Sequence, residues 1–297
     1  MTAPRVAVVV KRTTYRKFVV EEHDPLLTRL LRRHDPTVTN LLKSNEAHEE
    51  TCEEVDLALE ALGANVVHRA GWRAQIPKHV DLVVTIGGDG TLLSASHQIG
   101  RGVPLLGVNS APDHSVGFFC AARKGRVKRS IARALEGTMP RTELTRMRVD
   151  LNGTCIHSRV LNEALVCHAS PAATSRYILR VSKLGVEDQR SSGLWIGPAA
   201  GSTAAQRSAG GRVLPLASKK IQYVVREPYT PAGGHLRFAR GLLAERERLV
   251  IQSKMREAKL FLDGHSIVHP VTIGDVLVMR RSEETLTVLG LAGKRRL

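Results

Sequence analysis

Residues Leu82–Ile99 read LVVTIGGDGTLLSASHQI. The opening run, Leu82–Ile86, is short and apolar, as expected of a strand buried on both faces. It enters Gly87-Gly88-Asp89-Gly90-Thr91 directly. A helix-periodic segment follows, with Leu92, Leu93, Ser96 and Ile99 on one side and Gly100 as its stop. A strand, a glycine-rich turn and a helix in succession suit an anion. The glycines bring backbone N–H groups close, and the helix N-terminus adds unpaired donors and its dipole. The turn fits neither G-x-G-x-x-G nor a P-loop, because no Lys-Ser or Lys-Thr closes it. Its distinguishing group is the Asp89 carboxylate. An acid opposes simple anion capture; it suits proton removal from a hydroxyl, or help in holding a magnesium ion. An ordinary strand-to-helix turn with Asp89 as N-cap stays open as the other reading.

On either side the chain alternates strand and helix. Arg5–Val10 is a buried strand, Leu26–Leu31 a short helix, Leu41–Leu62 a longer one stopped by Gly63, and Asn65–Val67 a strand. Val103–Val108 is a further buried strand, ending at Asn109 and the turn-rich Ser110–Ser115; Lys124–Leu135 is a basic helix. This rhythm predicts a parallel sheet with helices on both faces, and ligands at the carboxyl ends of its strands.

From Met139 onward strands and turns dominate. Arg148–Leu151, Asn152-Gly153 and Cys155–Val166 form a hairpin with a favoured two-residue turn, and seven more strand candidates follow between Tyr177 and Leu289. The predicted fold class is therefore α/β plus all-β: an N-terminal parallel-sheet domain, residues 1–137, then a β-sandwich-like domain, residues 138–274. Residues 275–297 either stay with the second or pack back on the first.

Three polar features stand out in the β half. Asn162-Glu163 lies within the strand read over Arg159–Val166, and offers the donors and acceptors that ribose hydroxyls need. Gly197–Gly211 is built almost wholly of small residues around Gly201-Ser202-Thr203, a second polar cradle or a place where another backbone comes close. Asp263-Gly264 reads as a hairpin turn.

Composition narrows the classes. The 297 residues suffice for two domains, and 42% hydrophobic content supports a real core. No apolar run approaches a membrane span and Met1–Val10 lacks a secretory core, so a cytoplasmic protein without membrane partners is expected. Cys52, Cys120, Cys155 and Cys167 are dispersed, and His265 and His269 flank a turn, so neither a metal cluster nor a disulfide framework is expected. The net charge of +16 suits an anionic partner, but 4% aromatic residues leave little for base stacking, so no nucleic acid is expected. The denser basic pieces are Arg123–Arg133 and Lys294–Arg296.

Taken in order, Gly87-Gly88-Asp89-Gly90-Thr91, Gly107-Val108-Asn109, Asn162-Glu163, Gly201-Ser202-Thr203-Ala204 with Ser208-Ala209-Gly210-Gly211, and Asp263-Gly264 resemble the motifs of the NAD kinase family, over roughly Val80–Val278. The resemblance implies transfer of the γ-phosphoryl of ATP to the 2′-hydroxyl of the adenosine ribose of NAD or NADH, with Mg²⁺ or another divalent cation. It implies Asp89 as the catalytic base. It implies Gly87, Gly88 and Gly90 cradling phosphates, Asn162 and Glu163 holding the dinucleotide's ribose, Thr203 and Ala204 lining the pocket with Ser208 nearby, and Thr91, Asn109, Ser192, Gly201, Ser202 and Asp263 as further nucleotide-binding residues. A homodimer or homotetramer is also implied.

Three departures point to one branch. Ser192-Gly193 stands where bacterial members usually have Asp-Gly, Ala205 where they have an aromatic residue, and Ser110–Gly117 replaces Leu-Gly-x-Leu-Gly. In these places the chain is similar to the plant and mitochondrial NAD(H) kinases, which implies that NADH is accepted. Lipid kinases of the diacylglycerol and sphingosine type share the Gly-Gly-Asp-Gly-Thr turn and are the alternative enzyme. A nucleotide sensor on the same scaffold is the non-enzymatic one.

Overall fold

The computed structural model describes residues 2–71, 74–182, 184–230 and 236–291; the basic stretch Lys294–Arg296 lies outside them. Two compact units are present. One comprises residues up to Thr142 together with the segment from Thr287, and the other is Glu143–Leu286. The sequence places these boundaries at 137 and 275.

The first unit opens with β1 (Arg5–Val10), a seven-residue π-helical stretch at Tyr15–Glu21, α1 (Pro25–Arg32) and α2 (Thr39–Ala61). It continues with β2 (Asn65–Gly71), β3 (Leu82–Gly87), α3 (Asp89–Ser96), β4 (Leu105–Asn109), β5 (Cys120–Arg123), α4 (Val127–Leu135) and β6 (Arg141–Leu144). The second unit holds β7 (Met147–Leu151), β8 (Thr154–Val160), β9 (Ala164–His168), β10 (Ser175–Val181), β11 (Gly185–Ser191) and β12 (Gly193–Pro198). After a 3₁₀ turn at Ala199–Thr203 come α5 (Ala205–Ser208), β13 (Ile221–Arg226), β14 (Arg240–Leu243), β15 (Arg248–Ser253), β16 (Ala258–Leu262), β17 (Ile267–Val271) and β18 (Val276–Arg281). The last strand, β19 (Leu286–Leu289), returns to the first sheet.

That first sheet runs β2-β1-β3-β4-β19-β6, with β5 also on β4, and its pairings among β1 to β5 are parallel. Every residue of β3 is buried, which is why the sequence there is continuously apolar. Helix α2 buries His48, Thr51, Val55, Ala58 and Leu59 at helical spacing; Val55, Ala58 and Leu59 join β1, β3 and α4 in one core. Helix α3 is shorter than its sequence pattern suggests and stops at Ser96.

The second unit has two antiparallel sheets, β11-β10-β15-β18-β7-β8 and β14-β13-β12-β9-β16-β17. Their inner faces share one core, in which Val149, Leu179 and Ile251 from one sheet meet Val166, Ile196 and Leu260 from the other. In the β7–β8 hairpin Asn152 and Gly153 both have positive φ, as a two-residue turn of type I′ requires. No helix among the described residues is long and apolar enough to cross a membrane.

Helix α4 lacks a side-chain cap of its own. The Glu54 carboxylate of α2 fills that place, accepting N–H bonds from Gly125 (2.8 Å) and Val127 (3.1 Å). Glu54→Ala should therefore lower unfolding stability by about 1–2 kcal/mol in urea titrations, the size of a lost cap. A variant as stable as the parent would deny Glu54 that role.

Candidate active site

The order β2-β1-β3 reverses direction at β1, so the topological switch point lies between the carboxyl ends of β1 and β3. Gly87-Gly88-Asp89-Gly90-Thr91 stands there. Gly88 is the N-cap of α3, so Asp89 is the first helical residue and not the cap. Its carboxylate reaches instead to the β4–β5 loop and accepts the N–H groups of Phe118 and Phe119, each at 2.8 Å. These bonds fix the carboxylate's orientation and leave lone pairs on both oxygens.

Space at the three glycines differs. A Cβ on Gly87 would lie 2.2 Å from the Thr91 hydroxyl, and one on Gly88 would lie 2.6 Å from that of Ser115. Both positions are closed by the protein's own packing. A Cβ on Gly90 would meet nothing within 4 Å, and Gly90 is exposed. Of the three, only Gly90 leaves room for something from outside the chain.

Asn109 organises the loop that holds Asp89. Its amide nitrogen donates to the Ser115 carbonyl (3.0 Å), and its amide oxygen accepts from the Ala111 N–H (3.2 Å). Next to it, Ser110 Oγ lies 2.8 Å from Nδ1 of the buried His48. Burial, helped by nearby Lys11, pushes His48 down to about 4, so the ring is neutral at pH 7. Asn109, expected as a nucleotide-binding residue, therefore shapes the loop that holds Asp89.

Lys11, which the sequence reading passed over, follows β1 at the switch point. Its N–H donates to the Ile86 carbonyl (2.9 Å), and its Cβ would lie 3.0 Å from a Cβ on Gly87. Lys11 is exposed, with no ion pair among the described residues, whereas Arg12 and Arg16 pair with Glu21.

In the β unit, Asn162 and Glu163 stand between β8 and β9, not inside one strand as the sequence suggested. The Asp263 carboxylate breaks the strand by accepting the N–H groups of Leu161 (2.8 Å), Asn162 (2.7 Å) and Glu163 (3.1 Å). Asp263 thus acts on backbone, where a dinucleotide contact was expected. Gly201 packs against the same segment: a Cβ on it would fall 1.9 Å from the Asn162 carbonyl oxygen. Of the two readings of Gly201, close backbone approach is the one observed.

The side chains of this segment are left with unused capacity. Asn162 Oδ1 and Glu163 Oε2 are buried and have no hydrogen-bond partner among the described residues. Burial first, and then the Asp263 charge, raise Glu163 to about 7. Buried acceptors of this kind are unfavourable unless a donor arrives.

The remaining expected residues divide. Ser202 is buried and structural: its hydroxyl donates to the Ala199 carbonyl (2.8 Å) and accepts the Leu214 N–H (2.9 Å). Thr203 is half-buried, and Ala204 and Ser208 are exposed beside it. Ser192 precedes β12, whereas Gly197 and Gly201, at and beyond its far end, pack on Asn162. At about 3.4 Å per residue the strand separates Ser192 from that cluster by roughly 17 Å. Within one chain Ser192 is not part of the group it was expected to join.

The sequence also missed Arg146, fully buried near the opposing charges of Glu284, Asp263 and Glu143. Its desolvation lowers it to about 10, and it remains cationic at neutral pH. Among the described residues no three His, Cys, Asp or Glu side chains cluster as a metal site.

A parallel sheet carrying Gly-Gly-Asp-Gly-Thr at its switch point, in one chain with a two-sheet β unit, defines a kinase fold of the NAD kinase and diacylglycerol kinase-like class. The model of the ATP-NAD kinase N-terminal domain matches residues 6–139. A "Probable NADH kinase" of Oryza sativa subsp. japonica is 36% identical over 230 residues, 71% of each chain. The "NADH kinase" of Arabidopsis thaliana is 34% identical over 241 residues, 71% of this chain and 73% of that one. The chain belongs to the NAD kinase family. Two solved structures share the fold. The NAD kinase from Archaeoglobus fulgidus in complex with ATP has a TM-score of 0.67 at 20% identity, covering 98% of this chain and 96% of that one. Yeast NADH kinase complexed with NADH has a TM-score of 0.69 at 18% identity, covering 99% and 85%.

Two expected outcomes follow from the geometry. Gly201→Ala should lower stability by more than about 2 kcal/mol, because backbone must move, whereas Gly90→Ala should leave the melting temperature unchanged and lower phosphoryl transfer. Equal melting temperatures for the two variants would contradict the packing described. Glu163 sets a pH dependence. Its folded pKa of about 7 exceeds the unfolded 4.5, so the native state binds the extra proton and stability falls as pH rises between those values. Glu163→Gln should gain on the parent by up to about 3 kcal/mol between pH 4.5 and 7 and no further above. A stability difference independent of pH in urea titrations would refute the burial of this carboxyl.

Proposed function

We propose that the protein transfers the γ-phosphoryl of ATP to the 2′-hydroxyl of the adenosine ribose of NAD or NADH. The observation that carries this is the open Gly90 beside an oriented Asp89 carboxylate at the switch point of the parallel sheet. The ribose oxygen forms a bond to the γ-phosphorus, the bond from that phosphorus to the β–γ bridging oxygen breaks, and ADP leaves. Asp89 accepts the hydroxyl proton. Because the transition state is loose, catalysis is mostly placement and charge neutralisation.

The α/β turn supplies few positive charges for that task. Lys11 is the cation nearest the glycines by sequence and strand register, and we assign it to the donor phosphates. A divalent cation, Mg²⁺ first, enters as part of the nucleotide substrate. Mg²⁺ typically binds substrate phosphates while keeping several waters, so Asp89 stays free to act as the base. Asn162 and Glu163 take ribose hydroxyls, supported by their unused buried acceptors. Thr203, Ala204 and Ser208 line the dinucleotide pocket.

Acceptance of NADH is supported by the names of the rice and Arabidopsis relatives and by the absence of a carboxylate at Ser192 and of a ring at Ala205. A cytoplasmic homodimer or homotetramer completes this reading. The lipid kinase alternative gains no support from these likenesses.

The test is direct. Purified protein with ATP, Mg²⁺ and either NAD or NADH should form NADP or NADPH, read by a coupled dehydrogenase. Phosphorylation of a lipid but of neither dinucleotide would overturn the proposal. Asp89→Asn should keep fold and dinucleotide binding while kcat drops at least ~100-fold, the scale of a lost general base. An undiminished kcat would leave Asp89 a positioning role at most.

A further inference from the structure

Helix α2 buries three polar side chains at a spacing of three residues, Asn45, His48 and Thr51. Its apolar contacts come from further along the helix, at Val55, Ala58 and Leu59. Buried polar groups are costly unless bonded, so their partners show what they hold. Asn45 accepts a hydrogen bond from the Thr13 hydroxyl, two residues beyond Lys11. The Thr51 hydroxyl donates within the helix to the Ala47 carbonyl (2.7 Å) and lies 3.3 Å from the Ser110 carbonyl.

His48 has partners on two strand ends. Its Nδ1 lies 2.8 Å from Ser110 Oγ, immediately after β4. The Lys11 backbone, immediately after β1, also hydrogen-bonds the ring, in the sense that favours its protonated form, as a carbonyl acceptor does. A neutral imidazole has one donor and one acceptor. A carbonyl can only accept, so the ring proton serves Lys11 and the bare nitrogen takes the Ser110 hydroxyl. Lys11 and Ser110 are also the residues that grip the end of β3. The Lys11 N–H donates to the Ile86 carbonyl (2.9 Å), and the Ser110 N–H donates to the Gly87 carbonyl (3.1 Å). The bonds therefore close a circuit through Ile86, Lys11, His48, Ser110 and Gly87. Sheet pairing ends at Val10 with Ile86 on one side and at Gly87 with Asn109 on the other, so this circuit begins where the ladders stop.

We propose that His48 is a positioning residue for phosphoryl transfer: it closes the frame that holds Lys11 and the Asp89-binding loop in fixed relation to the Gly87–Thr91 turn. This rests on the phosphotransferase reading above. His48 touches no reacting atom. It acts through Ser110, which opens the loop ending at Phe118 and Phe119, the two N–H donors that orient Asp89. The other arm reaches Lys11, the cation assigned to the donor phosphates. The rigid ring sets donor and acceptor at one separation. In-line transfer is sensitive to such spacing, since a misplacement of about 1 Å can cost about 100-fold in rate.

The test compares the parent with His48→Leu and with His48→Leu/Ser110→Ala, by steady-state kinetics, melting temperature and amide hydrogen exchange read by NMR. In His48→Leu, kcat should fall at least about 10-fold while KM for NAD or NADH stays within about twofold, because the lost bonds place the transferring groups. Exchange at the Ser110, Phe118 and Phe119 amides should quicken at least about 10-fold. The double variant makes both partners apolar, so it should regain melting temperature while kcat stays low. A kcat that recovers together with stability would make His48 merely structural and overturn the proposal. An undiminished kcat in folded His48→Leu, or unchanged exchange at the three amides, would also overturn it. Ser110→Ala removes the same bond and is read in the same way if His48→Leu does not fold. Absent NADP or NADPH formation by the parent would overturn the phosphotransferase reading instead, and the exchange measurement then decides the frame by itself.

Discussion

The Asp263 carboxylate accepts three consecutive backbone N–H groups, Leu161 to Glu163, and the placing of the Asn162 and Glu163 side chains depends on that arrangement. Those N–H groups would otherwise continue a strand from β8 into β9. With them turned onto one acid, the chain breaks and the side chains of Asn162 and Glu163 escape the alternation of a sheet. The remaining contacts make the break rigid. Gly201 presses its Cα against the Asn162 carbonyl, and the Asp263 N–H returns to the Glu163 carbonyl at 2.9 Å. Arg146 is buried nearby and feels the Asp263 charge.

The same device recurs in the α/β unit. Asp89 accepts the N–H groups of Phe118 and Phe119, and Glu54 accepts those of Gly125 and Val127. In each case a carboxylate from one element satisfies donors on a segment far away in sequence, and so replaces a local cap or a ladder bond. Such bonds to a charged acceptor are stronger than neutral ones. They hold loops in place without large hydrophobic contact, which suits segments that must also stay open to a ligand.

Much of this was legible in the sequence, for a physical reason. Strands buried on both faces, such as β3, and the type I′ turn at Asn152-Gly153 have local signatures. The edge strands do not. β11, β14 and β17 end their sheets, carry residues such as Glu187, Asp188, Arg240 and His269, and are defined by ladder bonds more than by an apolar pattern. At the site, residue types were readable and partners were not. Nothing near Asn162 in sequence announces an acid 101 positions later, and nothing near Ser192 shows that β12 carries the chain away from it. Gly201 could be read as a cradle or as a close approach until the Asn162 carbonyl was seen 1.9 Å from its virtual Cβ.

The unused acceptors define what the β unit can hold. Asn162 Oδ1 and a Glu163 oxygen both need donors, and an anion brings none. A phosphate placed there would meet Glu163 and the Asp263 charge at close range, and would be repelled once Glu163 ionises. A ribose offers hydroxyl donors instead, and by donating to Glu163 it would favour the ionised form that burial resists. The folded protein carries the cost of that burial before any ligand arrives, and a donor reaching Glu163 would offset it. Cation and glycine are found at the other kind of surface, around Lys11 and Gly87–Thr91. What each surface can hold is thus set by which of its groups were left unsatisfied.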